Sequence, residues 1–176
     1  AMKAMIFAAG LGTRLRQLTD NMPKAMVPVD GTPMLQRVIE NLKTHGFHDI
    51  IVNVHHFEEQ IIDFLAQNNN FGLNITVSDE RDLLLDTGGG IKAVRHMLDD
   101  GEPFLVHNAD ILTTLDLTAM YKHHCQSNAD ATLLVKSRKT ERYLLFDNSN
   151  RLQGWINKKT GETRPDGFDI KAHEFQ

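Results

Sequence analysis

The sequence is poor in cysteine and has no long hydrophobic run. Its single cysteine, Cys125, cannot form an intramolecular disulfide, which favours a reducing compartment. No stretch has the pattern of a secretory signal or of a membrane-spanning helix. We therefore expect a cytoplasmic protein that has no membrane partner.

Positive charge is not in excess either. The chain has 19 lysines and arginines against 23 aspartates and glutamates, for a net charge of −4. Counterion-driven binding of nucleic acid needs a broad basic surface, so no nucleic-acid partner is expected and any polyanion must be small. The nine histidines do not indicate a zinc site, because the sequence has neither an H-E-x-x-H motif nor a quartet of cysteines and histidines. The adjacent His123 and His124 would point apart on a helix.

The length of 176 residues and the hydrophobic content of 41% suit one globular domain with a sizeable core. Ala1 precedes Met2, a pattern typical of the remnant of a cleaved tag. We therefore expect a single domain over residues 2–176.

Strand-like and helix-like patterns alternate along most of the chain. Strands are expected at 3–9, 49–54, 73–77, 103–110 and 130–135, and helices at 31–46, 58–69, 88–98 and 117–126. In the first helix, apolar residues recur at a spacing of three and four, Pro33 suits the first turn, and Gly46 suits the C-cap.

This repetition predicts a three-layer α/β/α Rossmann-like sandwich with a mostly parallel sheet. From Tyr143 onwards, two extended runs flank an Asn-Ser-Asn turn, which predicts an antiparallel hairpin. We expect that hairpin to form a mixed edge of the sheet.

The first predicted strand runs directly into a glycine turn with positive charge. In open α/β sheets, ligands collect at the carboxyl ends of strands, where Gly10 and Gly12 would let backbone N–H groups face an anion. Arg14 and Arg16 add fixed charge, so a polyphosphate fits, although glycine spacing alone also allows an ordinary turn with solvated arginines. The dinucleotide fingerprint is absent because Leu15 stands in place of its third glycine, and no P-loop is present.

The wider string resembles the signature of the sugar-nucleotidyltransferase family, and the likeness is greatest to its short bacterial members. The matching letters are AAGLGTRL from Ala8 to Leu15, then Leu18, Thr19, Pro23 and Lys24, followed by DTGGG at 86–90 and VHNAD at 106–110. Gln17 and Ala25 replace family prolines, which should loosen the loop more than change its chemistry. The resemblance implies a nucleotide-binding set made of Ala8, Ala9, Gly10, Leu11, Gly12, Thr13, Arg14, Lys24, Glu80, Thr87 and Gly88.

Two polar residues end the predicted strand at 103–110. Asp110 is the candidate metal ligand, because Mg²⁺ prefers carboxylate and phosphate oxygens, and the alternative is an N-cap for the following helix. Asn108 resembles the family position that contacts the sugar phosphate, while an ordinary turn asparagine is the other interpretation. Glycines 88–90 leave room for a planar base, or simply form a flexible turn.

The resemblance implies a Mg²⁺-dependent enzyme of the uridylyl- or guanylyltransferase type, with Arg14, Lys24 and Asp110 as catalytic residues. It would transfer a nucleoside monophosphate from a nucleoside triphosphate to a sugar 1-phosphate and release pyrophosphate. A non-catalytic nucleotide-binding regulatory module of the same fold is the alternative. A nicotinamide oxidoreductase is disfavoured, because it needs an acid at the end of the second strand, where Asn53 stands.

The family's second metal-binding carboxylate comes near the end of its fold. Asp166 and Asp169 cannot be assigned that role, because they lie in a loop that contains proline and glycine. We therefore expect the domain to be incomplete at its C-terminus, and the isolated chain to bind a nucleoside triphosphate but to transfer it poorly.

Overall fold

The computed structural model describes residues 1–9, 16–79 and 87–170. The chain forms two compact units, residues 1–132 and residues 133–176. The single domain expected over 2–176 therefore stays a prediction.

The first unit is built on a four-stranded parallel sheet. Its strands are β1 (Met2–Phe7), β4 (Phe47–Val54), β5 (Asn74–Asp79) and β6 (Phe104–Asn108), in the order β5-β4-β1-β6, and a short antiparallel ribbon joins β2 (Pro28–Val29) to β3 (Thr32–Pro33). The helices are α1 (Arg16–Thr19), α2 (Met34–Thr44), α3 (Glu58–Gln67), α4 (Thr87–Ala93), α5 (Arg95–Leu98) and α6 (Leu117–Gln126), with 3₁₀ turns at Lys24–Met26 and Asn69–Gly72.

Both faces of the sheet are covered by helices. Ala4 and Ile6 of β1 pack in one core cluster with the buried faces of α2, α3 and α6, while Met5 packs in a second cluster with Val94 and Leu98. Because successive strand residues point to opposite faces, this alternation divides one strand between two layers. The expected three-layer α/β/α sandwich with a mostly parallel sheet is confirmed.

Helix α2 shows how closely the local pattern is followed. Its four buried residues have the spacing that the sequence predicted, namely Leu35, Val38, Ile39 and Leu42. Pro33 occupies the N-cap, and Gly46 after the helix has a φ of 86°, a left-handed conformation that glycine adopts without a steric penalty.

The strand order reverses beside β1. The chain proceeds from β1 to β4 and β5 on one side and then places β6 on the other side of β1. In doubly wound sheets this reversal opens a crevice at the carboxyl ends of the strands. The segments that follow β1 and β6 therefore flank the expected ligand site.

One sequence-based assignment is wrong, and another is only partly right. Residues 130–135 have no regular structure, and Leu133, Leu134 and Val135 are 51%, 61% and 53% exposed. Their composition favours a strand, but a strand also needs a neighbour, and no strand in the described ranges pairs with them. The helix expected at 88–98 begins at Thr87 and breaks at Val94, whose φ and ψ are −104° and 16°.

The second unit contains a three-stranded antiparallel sheet made of β7 (Arg142–Phe146), β8 (Leu152–Asn157) and β9 (Thr163–Arg164). The expected hairpin is confirmed. Its turn is held by Asp147, whose carboxylate accepts hydrogen bonds from the backbone N–H groups of Arg151 and Ser149, and these bonds lower the pKa of Asp147.

The expectation that this hairpin forms a mixed edge of the main sheet is wrong for the described residues. The free side of β8 is taken by β9, so the hairpin belongs to a separate sheet, while the main sheet is parallel throughout. None of the helices in the described ranges has the length and apolar character needed to cross a membrane.

Ile39→Ala should lower the free energy of unfolding by about 2 to 5 kcal/mol, because Ile39 is completely buried between α2 and the sheet. Its neighbour Glu40 is exposed on the same helix, so Glu40→Ala should change stability by no more than about 0.5 kcal/mol. Urea unfolding of both variants measures the difference, and equal effects would contradict the packing of α2.

Candidate functional site

The two segments that flank the crevice leave the sheet at the same level. The backbone N–H of Ala8 donates to the carbonyl oxygen of Asn53 at 3.1 Å, and that of Ala109 donates to the carbonyl oxygen of Phe7 at 2.9 Å. Ala8 and Ala9 are buried, at 5% and 6% exposure. The predicted nucleotide loop therefore begins on a rigid, paired backbone.

Lys24 lies in a 3₁₀ turn that is anchored to the same unit. Ala25, the next residue, is buried in the main core cluster, and the backbone N–H of Val27 donates to the carbonyl of Lys24 at 3.2 Å. Ala25 thus packs where the family pattern has proline. This anchoring fixes the base of the Lys24 side chain.

The Lys24 ammonium forms an ion pair with the carboxylate of Asp110. The pair unites two of the three residues predicted to be catalytic, although they are far apart in sequence. Both side chains are about one-third exposed, at 34% and 33%. A partly exposed pair of this kind contributes about 1 kcal/mol or less to stability, so its position matters more than its strength.

Asp110 does not cap the following helix. Helix α6 begins at Leu117, and its N-cap is Asp116, whose carboxylate accepts a hydrogen bond from the backbone N–H of Ala119 at 3.0 Å. The alternative interpretation of Asp110, as the N-cap of the following helix, is therefore excluded. The carboxylate remains at the ligand edge with Lys24 as its partner.

His107 supports the turn between Asn108 and Asp110. Its Nδ1 lies 2.6 Å from the carbonyl oxygen of Asn108, and because a carbonyl only accepts, Nδ1 must carry the proton. Burial lowers the pKa of His107, while the bond to Asn108 and the charge of Asp110 oppose that shift. The Asn108 side chain itself is exposed at the end of β6.

The Asp110 carboxylate at the ligand edge suits a cation whose other coordination positions are filled by a bound ligand and by water. Asp110 supplies one carboxylate, and no group of three or more histidines, cysteines, aspartates or glutamates that could hold a metal occurs in the described ranges. Mg²⁺ commonly uses one or two carboxylates and completes its octahedron with phosphate oxygens and water. Asp110 therefore fits Mg²⁺ bound together with a polyphosphate.

The other predicted nucleotide-binding residues are only partly described. Six of them lie outside the described residues: Gly10, Leu11, Gly12, Thr13, Arg14 and Glu80. The side chain of Arg16 is likewise not described. Thr87 begins helix α4, and Gly88 follows in its first turn. A Cβ built on Gly88 would meet nothing within 4 Å, so this turn is open to a ligand.

Sequence reasoning assigned no role to one residue of this edge. Asn53 is completely buried at the end of β4, and its Oδ1 accepts a hydrogen bond from the N–H of Ala8 at 2.7 Å. The available signal was a single amide that interrupts the apolar run from Ile50 to Val54. Periodicity alone does not say which backbone group such an amide meets.

The chain is 43% identical over 121 residues to N-acetylmuramate alpha-1-phosphate uridylyltransferase of Neisseria meningitidis, an alignment that covers 69% of the chain and 52% of the relative. It is 33% identical over 177 aligned positions to mannose-1-phosphate guanyltransferase of Yarrowia lipolytica, covering 99% of the chain and 46% of the relative.

Among solved structures, HddC from Yersinia pseudotuberculosis, complexed with GMP-PN, matches with a TM-score of 0.71 at 24% identity. That match covers 90% of this chain and 70% of HddC, and it establishes the shared fold. The chain spans about half the length of the two relatives above.

The doubly wound sheet places the chain among the α/β proteins, a class whose ligand sites lie at the carboxyl ends of the strands. Within that class the sequence is decisive, because the family described as nucleotidyl transferase matches residues 3–146. The chain belongs to the nucleotidyl transferase family. The resemblance drawn from the glycine loop is therefore confirmed.

The lowered pKa of His107 predicts a loss of stability in acid. Above the ordinary pKa of 6.5, both folded and unfolded states hold the ring neutral. As the pH falls below that value, the unfolded state takes up a proton before the folded state does, so stability falls by up to about 1.4 kcal/mol per pH unit until the folded pKa is reached.

His107→Asn keeps an N–H donor near the Asn108 carbonyl and cannot titrate in this range. The melting temperature of the variant should therefore fall less between pH 7.5 and 5.5 than that of the parent chain. Parallel pH curves for the two proteins would contradict the assignment.

Proposed function

We propose that this protein transfers a nucleoside monophosphate from a nucleoside triphosphate to a sugar 1-phosphate. The products are pyrophosphate and a nucleotide-activated sugar. The observation that carries the proposal is the Lys24–Asp110 pair at the reversal point of the sheet, in a chain of the nucleotidyl transferase family. The names of the relatives favour uracil or guanine as the base and a hexose-derived sugar phosphate as the acceptor.

The proposed reaction needs positioning and charge more than covalent catalysis. A phosphate oxygen of the acceptor forms a bond to the α-phosphorus, while the bond from that phosphorus to the bridging oxygen breaks and pyrophosphate leaves with the electron pair. Lys24 and Arg14 offset the charge around the α-phosphorus and on the departing pyrophosphate. Asn108 at the end of β6 would hold the phosphate of the acceptor.

Mg²⁺ would be held by the carboxylate of Asp110 and would neutralise charge on the phosphates. The Lys24–Asp110 pair occupies the two charges that Mg²⁺ and the phosphates would use, so an incoming metal-bound nucleotide competes with the ion pair for both. We therefore infer that the pair opens when the metal-bound nucleotide enters, which leaves Asp110 for the cation and Lys24 for the phosphates. Each charged group exchanges its partner, so neither is left uncompensated.

A nucleotide-binding regulatory module is the second candidate. The observation in its favour is that, in the described ranges, Asp110 belongs to no group of three or more histidines, cysteines, aspartates or glutamates that could hold a metal. Calorimetric titration with UTP and GTP, beside a pyrophosphate-release assay with glucose, mannose and N-acetylmuramate 1-phosphates, separates the two candidates. Release that depends on a sugar phosphate supports the enzyme, whereas binding without release supports the module. The exposed free Cys125 agrees with the cytoplasmic setting that we propose for either.

Asp110→Asn should remove nearly all Mg²⁺-dependent pyrophosphate release while the protein stays folded. A neutral amide is a poorer ligand for a hard cation, and the lost ion pair is worth about 1 kcal/mol or less. Asp116→Asn is the matched control, because asparagine also caps helices and Asp116 already caps α6. Full release by Asp110→Asn would contradict the metal assignment.

Replacing Lys24 or Arg14 with alanine should lower turnover by about 100-fold or more, because each offsets charge that develops in the transition state. Lys159→Ala is the control, since Lys159 is an exposed cation of the second unit, 4.0 Å from Glu141. Melting temperatures should stay within a few degrees in all three variants. Near-normal release by both Lys24→Ala and Arg14→Ala would exclude their assigned role.

A further inference from the structure

The described part of the chain buries three polar or charged residues, Thr19, Asn53 and His107. Thr19 belongs to the segment that leads to Lys24, and His107 precedes Asn108 at the end of β6. Asn53 lies one residue before the end of β4 and is completely inaccessible to solvent. All three therefore occur in segments that build the candidate site.

Packing does not account for an amide at position 53. Its neighbours along β4 from Ile50 to Val54 are apolar, its register partner on β1 is Phe7, and its register partner on β5 is Ser78. An amide transferred into such surroundings costs free energy unless it is hydrogen-bonded, whereas valine or isoleucine would contribute burial there. The amide must therefore be understood through its hydrogen bonding, of which the contact with Ala8 is the described part.

The Asn53 side chain acts just beyond the last rung of the β1–β4 ladder. The paired register of these strands ends at Phe7 and Asn53. The next backbone N–H, that of Ala8, meets the carbonyl oxygen of Asn53 at 3.1 Å and its Oδ1 at 2.7 Å. Because the ladder already joins the strands, the shorter contact to Oδ1 adds orientation at the point where the chain leaves the sheet.

We propose that Asn53 is a positioning residue for triphosphate binding. It acts through the Ala8 backbone and fixes the direction in which the chain enters the glycine loop. This inference rests on the proposed function, because it requires that the loop after Ala8 bind the phosphates. A strand residue whose only task was stability would not alter nucleotide affinity in a correctly folded chain.

The test is calorimetric titration of UTP and GTP, with Mg²⁺, into the 176-residue chain and three variants. Asn53→Leu keeps the approximate volume but loses the acceptor. It should weaken binding of the preferred nucleotide about 10-fold, the effect expected for about 1.4 kcal/mol lost with a misdirected loop. Its melting temperature should stay within a few degrees of the parent.

Val54→Ala is the structural control. Val54 is also completely buried on β4, but it points to the opposite face and belongs to the main core cluster. The substitution should lower the melting temperature by several degrees and leave nucleotide affinity within about twofold of the parent. An equal loss of affinity in Val54→Ala would show that destabilisation alone weakens binding, and it would overturn the proposal.

Asn53→Asp is the conservative variant, because a carboxylate oxygen can still accept from the Ala8 N–H. Its charge would be buried, where salt screens little, so it is compared with the parent at about pH 5.5 to 6, where burial favours the neutral acid and its carbonyl oxygen still accepts. There its affinity should lie within about threefold of the parent. A loss as large as that of Asn53→Leu at this pH would overturn the role of the acceptor oxygen, and this comparison decides the matter if Asn53→Leu fails to fold.

The outcomes distinguish the two proposals. If the parent binds nucleotide and Asn53→Leu binds it equally well, the positioning role is wrong and the proposed function stands. If the folded parent binds neither UTP nor GTP at millimolar concentration, the proposed function fails, and the role of Asn53 fails with it.

Discussion

Strand β1 is the constraint on which the ligand edge depends, because it is hydrogen-bonded along both sides. It pairs in parallel with β4 and with β6, and its side chains are buried in a different layer on each face. A shift by one residue would move Ala4 and Met5 into each other's layers, so the register is strongly specified. With the register fixed, the backbones at Ala8 and Ala109 emerge together, and Asp110, which follows Ala109, meets Lys24 at this edge.

The Lys24–Asp110 pair follows from that meeting, and its partial exposure suits a pair that exchanges partners. Two charges taken fully out of water would each cost several kcal/mol and would bind each other too firmly to separate. Two fully exposed charges would be screened and poorly placed. At about one-third exposure, each charge is held in position while remaining accessible to a competing ion of opposite sign.

Most of the fold could be predicted from the sequence, because it depends on local patterns. The spacing of Leu35, Val38, Ile39 and Leu42 predicted the buried face of α2, and the hairpin around Asp147 followed from its turn residues. The errors concern features that depend on a distant neighbour. Residues 130–135 have strand composition but pair with no strand in the described ranges, and the hairpin expected at the edge of the main sheet pairs with β9 instead. Composition records a preference for a strand and does not record which strand it pairs with.

The same reasoning explains what could be known of the site. Asp110 was predicted from its type and position and Lys24 from the family resemblance, but their contact depends on the strand order β5-β4-β1-β6, which no local pattern specifies. The role of Asn53 was harder to predict, because an amide within an apolar strand looks in the sequence like an exception to the pattern and nothing more. Such an irregularity lowers stability unless the amide is hydrogen-bonded, and here its bond reaches the first residue beyond the ladder of β1. Polar residues that interrupt an apolar strand near its carboxyl end are therefore the positions at which an α/β sequence is most informative about its site.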